Sequence, residues 1–356
     1  MIAVDTVRVR MTEDAAGINA RALAAHPEAT PLYKPRAARP VDRVTLSGND
    51  YLGIGLSQIT HDRIAGAVTL EWSAKLLADL YLDGLTMDTL DLAAAALSRS
   101  AFLDVSPQDL LGADVTRADP FVDLRRGGDL PSDFEALRTL STHPRWAYTP
   151  NGRTPSTSLR WNRNKGHALR AYDKGAELGK ADNRPFLRTL RPETWKAATG
   201  MVRFERQATG NAKARALCSV AVHEPFATLG TLLTSTRPAV AETFADLRRP
   251  LDQRDLFDEA DRYAETVSAE LGIGPGKRLV SEIWRRYGLA SFVAAREGDA
   301  DLCRAWLRSY AGPKASEIYP EVEAACVAYL AGPEAARIGR TTLRLDALEA
   351  LLRDAA

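Results

Sequence analysis

The sequence holds 356 residues, 45% of them hydrophobic, which is more than one ordinary domain needs and apolar enough to bury the cores of two. No run approaches the roughly 18 to 20 apolar residues of a membrane span, the opening MIAVDTVRVRMTEDAAG mixes apolar with charged residues instead of building a signal-peptide core, and Cys218, Cys303 and Cys326 have no CxxC spacing that would suggest a disulfide framework or a thiolate zinc site. A net charge of +1 conceals an asymmetry, because 16 Lys/Arg stand against 5 Asp/Glu between Arg145 and Arg215, giving that segment +11 and the remainder −10.

In chain order, Ile2 to Met11 places Val4, Val7, Val9 and Met11 around Arg8 and Arg10, and the near alternation from Val7 predicts a half-buried strand. Prolines at 27, 31, 35 and 40 mark a loop. Ala67 to Trp72 (AVTLEW) predicts a second strand, and Thr86 to Ser98, with Leu90, Leu92 and a run of alanines, a helix. Asp114 to Leu124 (DVTRADPFVDL) predicts a third strand, which Pro120 places at an edge or a bulge. Ser132, Asp133, Phe134 and Glu135 read as a capping box, so a helix is expected from Ser132 through Leu137 and Leu140, ended by Pro144. Thr157 to Trp161 and Ala168 to Tyr172 predict strands joined by NRNKGH, and Met201 to Arg206 (MVRFER) predicts another.

Beyond Ala214 helical spacing takes over. Leu256, Ala260, Tyr263 and Val267 recur on one face, as do Leu279, Val280, Ile283, Trp284 and Tyr287 before Gly288. Further helices are expected around Leu302 with Trp306, around Val322 with Cys326 and Tyr329, and over Leu343 to Leu352. The expected architecture is α+β: a mostly antiparallel central sheet with flanking helices over residues 1–215, followed by an all-helical C-terminal region over 216–356.

The +11 segment interleaves its cations with Trp146, Tyr148, Trp161, Tyr172, Phe186 and Trp195, the composition of a phosphate-tracking groove. Its densest polar stretch is WNRNKGHALRAYDKGAELGK, where Tyr172 stands near Arg170, Lys174 and Glu177. A tyrosine hydroxyl, with an ordinary pKa near 10, attacks phosphorus only where cations favour the phenolate; the competing reading is half-buried aromatic packing in a strand. In TRADPFVD, Arg117 and Asp119 share a strand face, as do Arg203 and Glu205 in VRFERQ. Strands that bring Asp119 and Glu205 together would offer oxygen ligands to Mg²⁺ or Mn²⁺, whereas the plainer alternative pairs each arginine with an acid across strands at the surface. Histidines at 26, 61, 143, 167 and 223 form no HxH or HExxH arrangement, although His167 lies near Tyr172 in sequence. LGIGPGKR at 271–278 departs from GxxxxGK[ST] and reads as a turn between helices.

Taken in order, these segments resemble the replication initiators of filamentous bacteriophages, the gene II proteins. LRWNRNKGHALRAYDKGAEL is similar to that family's Trp-Asn, polar turn, Tyr-x-Lys-x-x-Glu-Leu segment, ATGMVRFERQ to its Gly-hydrophobic-Val-Arg-Phe-Glu strand, LLGADVTRADPFVDL to its Arg-x-Asp strand, and VTLEWSAKLLADLYLDG to an earlier strand and helix-like segment. The likeness covers about residues 65–210, and Ala118 and Pro120 depart from it beside Asp119. It implies a Rep nuclease-like fold and rolling-circle initiation, in which one origin strand is nicked and rejoined through a 5′-phosphotyrosyl intermediate. By this resemblance Tyr172 is the nucleophile, with Lys174 and Glu177 beside it. Asp119 and Glu205, with Asp123 as a further candidate, would hold Mg²⁺ or Mn²⁺, and Arg163, Lys165, His167, Arg170 and Arg203 would contact DNA. The implied partners are phage or plasmid origin DNA, supercoiled duplex and then single-stranded, and a host helicase and polymerase, in a bacterial cytoplasm. A non-catalytic DNA-binding regulator of replication is the alternative from another class. A tyrosine recombinase is disfavoured because Tyr172 falls in a strand.

Overall fold

The computed structural model describes residues 2–31, 43–47, 52, 54–138, 140, 146–150, 158–218, 224–248, 264, 267–287, 289–294, 296 and 298–355. The fold is α+β and centres on one antiparallel sheet. Its strands are β1 (Ala3–Thr12), β2 (Thr30–Pro31), β3 (Arg43–Ser47), β4 (Leu56–Asp62), β5 (Ala67–Ser73), β6 (Asp114–Arg125), β7 (Ala147–Pro150), β8 (Ser158–Asn164), β9 (His167–Asp173), β10 (Met201–Thr209) and β11 (Ala227–Thr228). They lie in the order β2-β3-β4-β5-β1-β6-β10-β9-β8-β7, with β11 pairing one end of β6.

Alternation along the strands separates an apolar face from a polar one. Val7 and Val9 of β1 pair with Trp72 and Leu70 of β5; these four join Ala93 and Leu97 of the helix Leu90–Ser98 and Leu110 of the helix Pro107–Gly112 in one buried core. Farther along the sheet Leu159, Trp161, Leu169, Ala171, Val202 and Phe204 are buried, and the Phe204 ring meets Phe244 of the helix Ala239–Arg248 edge-on at 5.5 Å. The intervening residues of β1, β5, β6, β8, β9 and β10 are mostly charged, and they build the site described below.

One local expectation is met in one of its two forms and another is revised. Pro120, expected at an edge or a bulge, lies in an interior strand, with β6 between β1 and β10, and opposite a bulge in β1. Its missing donor is accommodated because β1 shifts register between Val4 and Thr6, and the β10 ladder passes from Phe121–Glu205 to Ala118–Ala208. The helix expected from Ser132 begins at Leu130 instead. Asp133, read as part of a capping box, is fully buried and accepts from Arg126 Nε at 2.6 Å. Pro144 lies outside the described residues.

The chain divides into two compact units, residues 1–247 with 347–356 and residues 248–346. The change of composition near 215 falls inside the first unit, because Leu217, Leu229, Leu232, Leu233 and Ala239 bury themselves in the core beneath β1 and β6. In the second unit, the helices Lys277–Tyr287, Leu289–Ala294, Ala300–Ala311 and Tyr319–Ala331 bury Val280, Ile283, Val293, Cys303, Trp306, Val322 and Cys326 together. LGIGPGKR is a turn leading into the first of these helices. Leu256, Ala260 and Tyr263 lie outside the described residues. Among the described residues no helix is long and apolar enough to cross a membrane.

Candidate functional site

Strand register assembles the polar face. Arg203 of β10 stands opposite Asp123 on one neighbour and Tyr172 on the other, and Glu205 stands opposite Phe121 and Arg170. Across β1, Thr6 faces Asp119 and Arg8 faces both Arg117 and Glu71. Because side chains two apart share a face, Asp119, Asp123, Arg170, Tyr172, Arg203 and Glu205 project to one side of the sheet. Five segments distant in sequence therefore contribute to one cluster, and its charged members are among the most buried polar groups of the described chain.

Tyr172 sits at its centre, 4% exposed. Its hydroxyl donates to Glu205 Oε2 at 2.9 Å, and Lys174 Nζ lies 3.4 Å from the same oxygen. Arg170 donates to the other Glu205 oxygen, Oε1, at 3.0 Å, and its guanidinium lies 5.1 Å from the Tyr172 ring centroid. Burial, reinforced by the negative charges of Glu205 and Asp5, pushes the Tyr172 hydroxyl well above its ordinary value of 10. The hydroxyl is therefore a phenol that holds its proton against a carboxylate acceptor. Lys174 is fully buried, and burial followed by the charge of Arg203 pulls its ammonium down to about 8. It remains mostly charged at neutral pH.

Two residues that sequence reading passed over complete this neighbourhood. Asp5 receives Arg203 at 2.5 Å and lies 3.6 Å from Lys174 Nζ. Burial acts to raise its carboxyl, but the charges of Lys174, Arg203 and Arg170 outweigh it and hold Asp5 at about 2. Tyr81 accepts a short hydrogen bond from Lys174 Nζ, and its own hydroxyl is pushed upward by burial and by Asp5. Both residues stood in segments assigned to structure, Asp5 in the first strand and Tyr81 in LLADLYLDG. One signal for Asp5 was a charged residue beside the alternation that begins only at Val7.

Asp119 and Glu205 are brought into mutual electrostatic range. Burial first, and then the charge of Glu205, raises the Asp119 carboxyl to about 7 against the opposing pull of Arg117. Arg117 donates to both Asp119 oxygens, at 3.3 and 2.5 Å, and reaches Glu71 at 2.8 Å. The arginine–acid pairs expected at the surface thus form, but they are buried, with Asp119 and Glu205 each 1% exposed. Asp123 does not join the two carboxylates. Both of its oxygens accept from Arg203, at 2.7 and 2.6 Å. Among the described residues no group of three metal-ligating side chains is assembled. The two carboxylates act on each other through charge, the second cause of the raised Asp119 carboxyl after burial. Mg²⁺ is commonly held by one or two carboxylates, with water and phosphate completing its shell, but as arranged the oxygens of this pair are engaged, those of Asp119 by Arg117 and those of Glu205 by Tyr172 and Arg170.

The remaining candidates are dispersed. Glu177, in the short helix Lys174–Leu178, lies 3.9 Å from Lys174 Nζ and accepts from Asn183 Nδ2 at 2.8 Å, at the border of the cluster. Arg203 is fully buried, both arms of its guanidinium taken by Asp5 and Asp123. His167 stands on the opposite face of β9 from Tyr172, an odd number of residues away. There it packs edge-on against Trp146 at 5.2 Å, and burial with the charges of Arg206 and Arg163 lowers its imidazole to about 4. Arg163 pairs with Asp246 at 2.6 Å on that same face, and Lys165 is exposed in the β8–β9 turn.

No protein-family profile matches this chain, and no curated protein matches it at a significant level.

Proposed function

We propose that this protein is a rolling-circle replication initiator that nicks and rejoins one strand of a phage or plasmid origin through a 5′-phosphotyrosyl intermediate, within a Rep nuclease-like first unit. The observation that carries the reading is the Tyr172 hydroxyl held between a carboxylate acceptor, Glu205, and an ammonium, Lys174, beside the Asp119 carboxylate. A base in hydrogen-bond reach and a cation for the charge that develops are two things a weak oxygen nucleophile needs; burial and the charges of Glu205 and Asp5 keep the resting hydroxyl protonated, so in this reading the proton leaves only as the bond to phosphorus forms.

In the forward step Tyr172 Oη forms a bond to the scissile phosphorus while the bond from phosphorus to the 3′ oxygen breaks. The phenolic proton passes to Glu205 Oε2, and the departing 3′ oxygen takes a proton from solvent. Lys174 stabilises the developing phenolate character, and Arg170, already aligned on Glu205, faces the same region with positive charge. Because the phosphotyrosyl bond conserves the energy of the phosphodiester, attack by a 3′ hydroxyl reverses the step and rejoins the strand. A divalent ion would have to displace Arg117 from Asp119 and Arg170 from Glu205 to be held there, and when bound it would polarise the scissile phosphate. The second unit, in this reading, serves origin or partner contacts, a host helicase or polymerase among them, in the bacterial cytoplasm.

A non-catalytic DNA-binding regulator is the second reading, and the deep burial of Tyr172 in a satisfied network favours it. Supercoiled DNA from the replicon that encodes the chain, incubated with protein and Mg²⁺, separates the two. An initiator converts it to nicked circles with protein attached, whereas a regulator shifts its mobility intact.

A further inference from the structure

The segment that follows the Tyr172 helix carries cations without partners. Lys180, Arg184, Arg188 and Lys196 are all exposed, and none of them pairs with a carboxylate among the described residues. They contrast with Arg170, Lys174 and Arg203, whose charges are taken up inside the site. Arg191, between them, is bound to Asp79 at 2.6 Å but stays 71% exposed. Among these charges the indole of Trp195 stands 36% exposed, an unusual position for so large an apolar surface. The segment is also fixed in place. Phe186 is buried edge-on against Tyr81 at 5.0 Å, Asn183 binds Glu177 at 2.8 Å and Lys75 at 2.7 Å, and the helix Pro192–Ala198 brings Trp195 against the backbone at Gly179. Its inner side thus touches Tyr81 and Glu177, the same residues that flank Lys174.

We propose that residues 180–196 form a single-stranded DNA track, in which Lys180, Arg184, Arg188 and Lys196 follow successive phosphates and Trp195 stacks on a base, leading the strand into the Tyr172 site. The four unpaired cations outnumber the exposed acids Asp182 and Glu193 of the segment and attract a polyanion of either form, but an indole about one-third exposed among them can stack on an unpaired base, which a duplex does not present. The track rests on the DNA-processing reading above, yet it concerns strand binding alone and can stand or fall without cleavage.

The test uses the full chain in EDTA, where no metal-assisted cleavage occurs. The probe is a fluorescein-labelled oligothymidylate of about 20 nucleotides, compared with a duplex of the same length. The wild type is expected to bind the single strand more tightly than the duplex. Trp195→Ala is expected to weaken single-strand binding about 5- to 100-fold, the range of one lost base stack, and to abolish most of the tryptophan quenching on binding. Replacing Lys180, Arg184, Arg188 and Lys196 together by Gln is expected to reduce the slope of log affinity against log salt by about 3, since each phosphate contact on a single strand contributes about 0.7. Unchanged circular dichroism ensures that these surface variants are folded. Variants that bind with wild-type affinity and salt slope, or a wild type that prefers the duplex, overturn the track. If binding follows these expectations while supercoiled DNA is never nicked, the track stands and the initiator reading falls.

Discussion

Lys174→Met is the perturbation whose consequence is set most directly by the buried network. The ordinary lysine value is 10.5 and the folded value about 8, lowered first by burial and then by Arg203. Between these two values the unfolded chain holds more protons than the folded one, so stability rises with pH through the window and the penalty for burying the charge is fully present below about 8. The whole interval corresponds to about 3 kcal/mol, and the part between pH 8 and 10 to about 2 kcal/mol. The variant lacks this dependence. Tyr81 and Tyr172, which are raised and so act in the opposite sense above pH 10, are present in both proteins and cancel in the difference. Urea unfolding of wild type and variant at pH 8, 9 and 10, followed by circular dichroism, should show the stability of wild type relative to variant increasing by about 2 kcal/mol over that range. A difference that stays flat, or that falls with pH, refutes the claim that burial and Arg203 pull the Lys174 ammonium down.

Other consequences follow from the same contacts. Arg203→Met strands Asp5 and Asp123 without their buried partner and should cost about 3 to 5 kcal/mol in chemical denaturation. Glu205→Gln removes the like charge that helps to raise Asp119, so the Asp119 carboxyl, followed by NMR, should titrate well below about 7. Tyr172→Phe removes one hydrogen bond to a buried carboxylate and should lower stability by about 2 kcal/mol while leaving the fold intact. Ala78 has φ 51° in the turn that precedes Tyr81, a region that suits glycine, so Ala78→Gly should raise the thermal midpoint by the equivalent of about 1 kcal/mol.

The strands that carry the site were legible because their alternation is local: β1, β5, β6, β8, β9 and β10 each follow from period-two spacing within one segment. The shared face of Arg117 and Asp119 was legible for the same reason, and the two bond to each other there. The partners of Arg203 were not. The sequence placed Arg203 and Glu205 on one face and left the cross-strand acid unnamed; the guanidinium turns to Asp5 and Asp123 because β6 and β1 lie on that side of the strand, a matter of sheet order that no single segment encodes. Sheet order also explains why the +11 segment is not one continuous basic groove. Lys174 and Arg203 are neutralised by Asp5 and Asp123, acids from outside the segment, while Lys180, Arg184, Arg188 and Lys196 keep their charge at the surface. His167 was misleading in a way that parity exposes, since five residues along a strand separate it from Tyr172 and place the two on opposite faces.

The most direct measurement is the identity of the residue that becomes attached to DNA. Full-length protein is incubated with Mg²⁺ and supercoiled DNA of its own replicon, the covalent complex is digested with protease and nuclease, and the modified peptide is sequenced by mass spectrometry. The account predicts a nucleotide joined through its 5′ phosphate to Tyr172, and no adduct with Tyr172→Phe. An adduct on another residue, or nicking by Tyr172→Phe at the wild-type rate, contradicts it.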